Sequence, residues 1–111
     1  MVKLRLTILS FACCNPALAV HDKRYIDLIK EAAEKAGVET EIDIVHATEA
    51  RLSMKYMFMA EIMPLIQKYG QAVTPALFIN EKLYLYGGVP TLERLLEVLE
   101  KCKVAAEQGK I

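Results

Sequence analysis

The spacing of apolar residues switches between two and about 3.6 along this chain, and that alternation limits the folds open to it. Residues 3–10 set Leu4, Leu6 and Ile8 against Lys3, Arg5 and Thr7, the period of a strand. Residues 22–36 carry Tyr25, Leu28, Ile29, Ala32, Ala33 and Ala36 on one helical stripe, with Gly37 suited to the stop. Residues 40–46 alternate again, Ile42, Ile44 and His46 against Glu41, Asp43 and Val45. Residues 49–69 read as a helix that Gly70 ends and that breaks near 60–64. Pro64 there removes a hydrogen bond and clashes with the carbonyl four residues back. Ala76–Ile79 and Leu83–Tyr86 read as a hairpin around Asn80-Glu81-Lys82, followed by a Gly87-Gly88 turn. Residues 91–104 form a last helix, capped by Thr91, with Leu95, Leu96, Leu99 and Cys102 inward. The order βαβαββα describes an α/β chain: a parallel strand–helix–strand crossover, then an antiparallel hairpin, in a single domain over residues 1–111.

Composition excludes several classes of function. Lys+Arg and Asp+Glu balance at 14 each, which leaves no concentrated basic surface for a dedicated nucleic-acid binder. The charged runs Asp22–Arg24 and Lys101–Lys103 read as solvated helix faces. No apolar run approaches the roughly 20 residues that span a bilayer. Lys3 and Arg5 before an apolar stretch, with Ala17-Leu18-Ala19 behind it, have some features of a secretory leader, but the strand alternation of residues 3–8 favours a folded segment. Three cysteines, an odd count, do not form a secreted disulfide framework and fit a reducing, cytoplasmic setting.

Two motifs fall in order near the end of the chain. Val73-Thr74-Pro75-Ala76-Leu77-Phe78-Ile79 opens the third strand on a proline, and Leu85-Tyr86-Gly87-Gly88-Val89-Pro90-Thr91 turns into the last helix. With the element order, these resemble the thioredoxin-like superfamily in its small, glutaredoxin-type form. The resemblance covers nearly the whole chain. It implies a four-stranded mixed sheet with helices on both faces and a cis peptide bond before Pro75. It also implies that Thr74 and Pro75 hold the backbone of an incoming peptide or glutathione beside reactive cysteines.

The cysteine motif departs from that family's Cys-x-x-Cys. The segment is Phe11-Ala12-Cys13-Cys14-Asn15-Pro16-Ala17, so the second cysteine is replaced by Ala17 or the first by Phe11. A relaxed disulfide needs Cα atoms roughly 4.4–6.8 Å apart, whereas neighbours across a trans peptide stand about 3.8 Å apart. A Cys13–Cys14 bridge would be strained and easily reduced. Two redox roles remain: one thiol as a lone nucleophile forming mixed disulfides, or the vicinal bridge as a transient state. If the first helix starts at Asn15-Pro16, both thiols lie at its positive end, which favours the thiolate. If His21-Asp22 opens it, with Asp22 as cap, a loop separates them from the helix. The adjacent pair also resembles that of arsenite metallochaperones, since soft thiolates bind soft metalloids, although Ala19 stands where those proteins carry a third cysteine.

Cys13 and Cys14 are thus the candidate catalytic residues and Thr74 and Pro75 the candidate substrate-binding ones. The leading expectation is a thiol-disulfide oxidoreductase whose partner is a protein or a low-molecular-weight thiol or disulfide. A metalloid-binding thiol protein and a non-enzymatic interaction module are the alternatives. No cofactor is implied, and no His/Cys spacing matches a zinc site. His21 reads as a surface or capping residue rather than a helper of the thiolate, and Cys102 as a core residue. The helix bearing Met54, Met57, Phe58, Met59, Ile62, Met63 and Leu65 is apolar nearly all round. Wrapping of two half-helices into the core and a homodimer or partner surface through Met57, Met59 and Met63 explain that equally well. Oxidation is expected to give mixed disulfides or intermolecular links. Peptide mapping across a glutathione redox titration checks this, and a vicinal bridge persisting at a strongly reducing poise would contradict it.

Overall fold

β1 (Lys3–Ser10) and β2 (Glu39–His46) run parallel, in register from Lys3↔Glu39 to Ser10↔His46. Between them a 3-10 turn, Pro16–Leu18, enters the helix α1 (Ala19–Ala36). A 3-10 segment, Met54–Ile62, the short helix α2 (Met63–Tyr69) and a 3-10 turn, Gly70–Val73, lead to β3 (Ala76–Ile79) and β4 (Lys82–Leu85). The helix α3 (Leu92–Glu107) follows. This computed structural model describes residues 2–12, 16–46, 49 and 54–110. The sheet order is β2-β1-β3-β4, with β3 antiparallel to both of its neighbours. The fold is α/β, a four-stranded mixed sheet covered by helical segments on both faces.

Alternation along β1 and β3 distributes their side chains between two cores. Leu4, Leu6, Ile8, Leu77 and Ile79 pack with Tyr25, Ile29, Leu95, Leu99 and Cys102 of α1 and α3. Leu9, Ala76 and Phe78 face the other way, against Val45, Met59 and Ile62. Thr7, polar by type, is buried on that second face, so only Lys3 and Arg5 keep the solvated half of the β1 pattern.

Local chemistry explains where the elements stop. Gly37 takes a left-handed conformation (φ 70°, ψ 38°) and its N–H closes on the carbonyls of Ala33 and Glu34. Lys103 Nζ adds a bond to Ala36 O at 3.2 Å. The Thr91 side chain accepts from Arg94 N–H at 3.2 Å and caps α3. The hairpin is tighter than its composition implies. Only Asn80 and Glu81 turn, both at positive φ (49° and 70°), as a type I′ loop requires, and β4 begins at Lys82.

The stretch before β3 differs most from expectation. Met54–Ile62 is a 3-10 segment interrupted at Tyr56 (φ −105°, ψ 20°), and Pro64 lies in the first turn of α2 instead of kinking a long helix. A proline there costs no hydrogen bond, because first-turn N–H groups have no intrahelical acceptor. Met59, named above with Met57 and Met63 for a dimer surface, is 4% exposed within the second core and cannot serve one. Met57 and Met63 are 66% and 39% exposed.

Tyr25 is fully buried, and its hydroxyl has no hydrogen-bond partner among the described residues. Desolvation pushes its phenol well above the ordinary 10.0. Burial raises the Cys102 thiol above 9.0, with the Tyr84 hydroxyl and Lys82 opposing this only in part. Both groups stay neutral in the folded chain and ionise near their ordinary values once unfolded. The unfolded state therefore binds fewer protons at alkaline pH. Stability present below about pH 9 is lost as pH rises beyond it. Tyr25→Phe removes an unpaired buried hydroxyl and is expected to raise stability by about 1 kcal/mol at neutral pH and to soften the alkaline decline. Urea unfolding at neutral and alkaline pH checks both; a destabilised variant would contradict the first.

Candidate functional site

The register of β1 against β3 assembles the site. Leu9 pairs with Ala76, which sets the C-terminal end of β1 alongside the Thr74–Pro75 step that opens β3. That peptide bond is cis, and both residues are buried. Gly87 N–H donates to Val73 O at 2.7 Å and draws the Gly87-Gly88 turn against the same step. The two glycines take φ of 88° and 121°, values that residues with a Cβ rarely adopt. The first turns of α1 complete the frame. An open groove of about 390 Å³ results, lined by Leu18, His21 and Arg24 of the first helical segment, by Ala72, Thr74 and Pro75, and by Gly88 and Val89.

Beneath the end of β1 lies a buried polar pair. Ser10 Oγ–H donates to Asp22 Oδ2 at 2.5 Å, and Ser10 Oγ accepts from Ala12 N–H at 3.0 Å. Ser10 is 1% and Asp22 7% exposed. The carboxylate thus fixes the serine hydroxyl, and the hydroxyl fixes the backbone of Ala12, the residue before Cys13. Asp22 is neither a solvated charge nor a helix cap. Helical structure begins at Pro16, and Leu18, at the cap position of α1, makes no side-chain cap bond. That places Asp22 inside α1 on the same face as Tyr25 and Ile29, where only a partner from the sheet can satisfy it.

The structure brings Thr74 and Pro75 into one groove with His21, which is half-buried and lies inside α1 rather than at its cap position. Cys13 and Cys14 lie outside the described residues, as does Asn15. Ala12 and Pro16 bracket them in the chain. Cys102 is 1% exposed in the first core, away from the groove's lining. No group of three or more His, Cys, Asp or Glu side chains able to hold a metal occurs among the described residues. No helix among them is long and apolar enough to cross a membrane.

Sequence reasoning did not single out Ser10, and it read Asp22 as a helix cap or a solvated charge and Arg24 as a solvated charge. A serine ending an apolar strand was a faint signal for the first. The Ser10–Asp22 contact spans twelve positions and joins two elements, so no periodicity reveals it.

A family model described as thioredoxin domain matches residues 21–100, well over half of the chain. The chain belongs to that thioredoxin domain family, in agreement with the sheet order, the hairpin and the Thr74–Pro75 step. No match was found among curated proteins.

Ser10→Ala is expected to destabilise the fold by about 1–3 kcal/mol, since it leaves the Asp22 carboxylate buried without its donor. Asp22→Asn in that background should recover part of the loss by removing the charge. Chemical denaturation of the single and double variants checks this; additive losses would show that the two residues are not coupled.

Proposed function

We propose that this thioredoxin-fold protein carries out thiol-disulfide exchange through Cys13 and Cys14, with Thr74 and Pro75 aligning the substrate. The observation that supports the reading best is the convergence described above. The end of β1, which leads into the cysteines, pairs beside the Thr74–Pro75 step, and a groove opens along that step. In the first stage a protein thiolate attacks one sulfur of a disulfide RSSR. A mixed disulfide forms and RS⁻ leaves with the electron pair. A low-molecular-weight thiolate R′S⁻ then attacks the mixed disulfide, releasing RSSR′ and restoring the protein thiolate. The net exchange is RSSR + R′S⁻ → RSSR′ + RS⁻, and it requires only one reactive cysteine.

The groove supports exchange because it can orient the disulfide before attack. Thr74 and Pro75 sit at the start of a strand buried on both faces, so their backbone is held by the sheet. The Ser10–Asp22 pair holds Ala12, the residue before Cys13. Preorganised positioning of this kind lowers the entropic cost of bringing sulfur to sulfur.

The test is mixed-disulfide formation by the reduced chain with bis(2-hydroxyethyl) disulfide, followed by intact-mass spectrometry. Replacing both Cys13 and Cys14 by Ser is expected to abolish the adduct in the native protein, and Cys102→Ala to leave its rate unchanged. Adduct formation by the double variant would overturn the reading. Tight retention of arsenite by the reduced chain, without exchange, would favour the metalloid-binding alternative.

A further inference from the structure

β2 and β4 are the outer strands of the sheet, and they are protected in different ways. An outer strand presents N–H and C=O groups to any other strand that reaches them. β2 carries Glu39, Glu41 and Asp43 in alternation, all exposed, so two such edges repel each other. β4 has no comparable row. Its four residues, Lys82–Leu85, hold one charge, Lys82, and Leu83 and Tyr84 are half-buried. Its protection comes from another element. Leu83 pairs with Phe78 of β3, yet its N–H donates to Glu61 Oε2 at 3.2 Å, on the outer side of the strand. Glu61 belongs to the 3-10 segment Met54–Ile62 and is exposed. Met59 and Ile62, on either side of it, are buried in the second core and fix the backbone that carries it.

We propose that Glu61 closes the β4 edge against a second copy of this chain, and that the segment it excludes is the β4 edge of that copy. The carboxylate takes the place that an incoming carbonyl would occupy on Leu83 N–H, and its charge repels that carbonyl. Once the carboxylate is removed, two β4 edges meet antiparallel about a twofold axis, and Leu83 N–H regains an acceptor from the copy. Centred on Leu83 or on Tyr84, this pairing sets Lys82 opposite a tyrosine of the copy, so no like charges meet. The twofold arrangement closes on itself as a dimer. Pairing of β4 with the β2 edge of a copy is head-to-tail and extends into a filament.

The experiment compares the full chain with Glu61→Ala and Glu61→Gln by sedimentation velocity over a range of concentrations and by amide hydrogen exchange read by NMR. A phosphine reductant keeps cysteine links out of both readouts. At low concentration the Leu83 amide of Glu61→Ala is expected to exchange about tenfold faster than that of the parent chain. As concentration rises, the same variant is expected to dimerise and its Leu83 amide to regain protection. Glu61→Gln keeps an oxygen acceptor without the charge and is expected to fall between the two in both readouts. Unchanged exchange of Leu6 and Ile8 in β1 verifies that the fold is intact. A folded Glu61→Ala chain that associates no more than the parent would overturn the proposal. Protection gained in β2 as well as β4, or growth into filaments, would overturn the twofold β4 partner. A Leu83 amide unmoved by either substitution would overturn the role given to Glu61.

Discussion

The antiparallel register of β1 against β3 is the constraint on which the rest of the molecule depends. Both strands are buried on both faces over their paired length, so a slip of one residue would send every side chain into the wrong core. In the observed register Leu6↔Ile79 and Ile8↔Leu77 serve the α1–α3 side, while Thr7↔Phe78 and Leu9↔Ala76 serve the other. The far end of the pairing is locked by two bonds: Arg5 N–H donates to Asn80 Oδ1 at 2.9 Å, and Asn80 N–H donates to Arg5 O at 2.8 Å. The hairpin turn thus sets the register at one end of β3 and, through it, the alignment of Thr74–Pro75 with the end of β1 at the other. The site is the far consequence of a two-residue turn.

Where burial follows a local period, the sequence was readable. The strand at 3–10 has the expected ends. β2 starts one residue before expectation and α1 three before it, each element ending where expected; the buried face of α1 begins only at Asp22, so its first three residues carry no periodic signal. Local chemistry also marked the Gly37 stop and the Thr91 cap. Legibility failed between residues 54 and 63. That segment is rich in apolar residues without a helical stripe. Its Met59 and Ile62 turn inward while Met54 and Met57 are exposed, a division imposed by Phe78 and Val45 across the interface. The hairpin was misjudged by one residue because a glutamate at positive φ carries no compositional signal.

The candidate site was legible in part, for a related reason. Thr74 and Pro75 stand in a motif that can be read along the chain, and the groove forms around them. Asp22 read as a helix cap or as one member of a solvated charge run, and its neighbours Lys23 and Arg24 are exposed while it is not. A helix places adjacent residues about 100° apart, so a run of three charges necessarily covers different faces. Which charge turns inward is decided by a hydroxyl twelve positions earlier, on a strand.

That division of α1 also bears on the backbone at the end of β1. Burial of the carboxylate is tolerable only because Ser10 supplies a donor at 2.5 Å. The same hydroxyl accepts from Ala12 N–H and so holds the backbone of the residue before Cys13. A change at Asp22 should therefore reach Ala12 through Ser10.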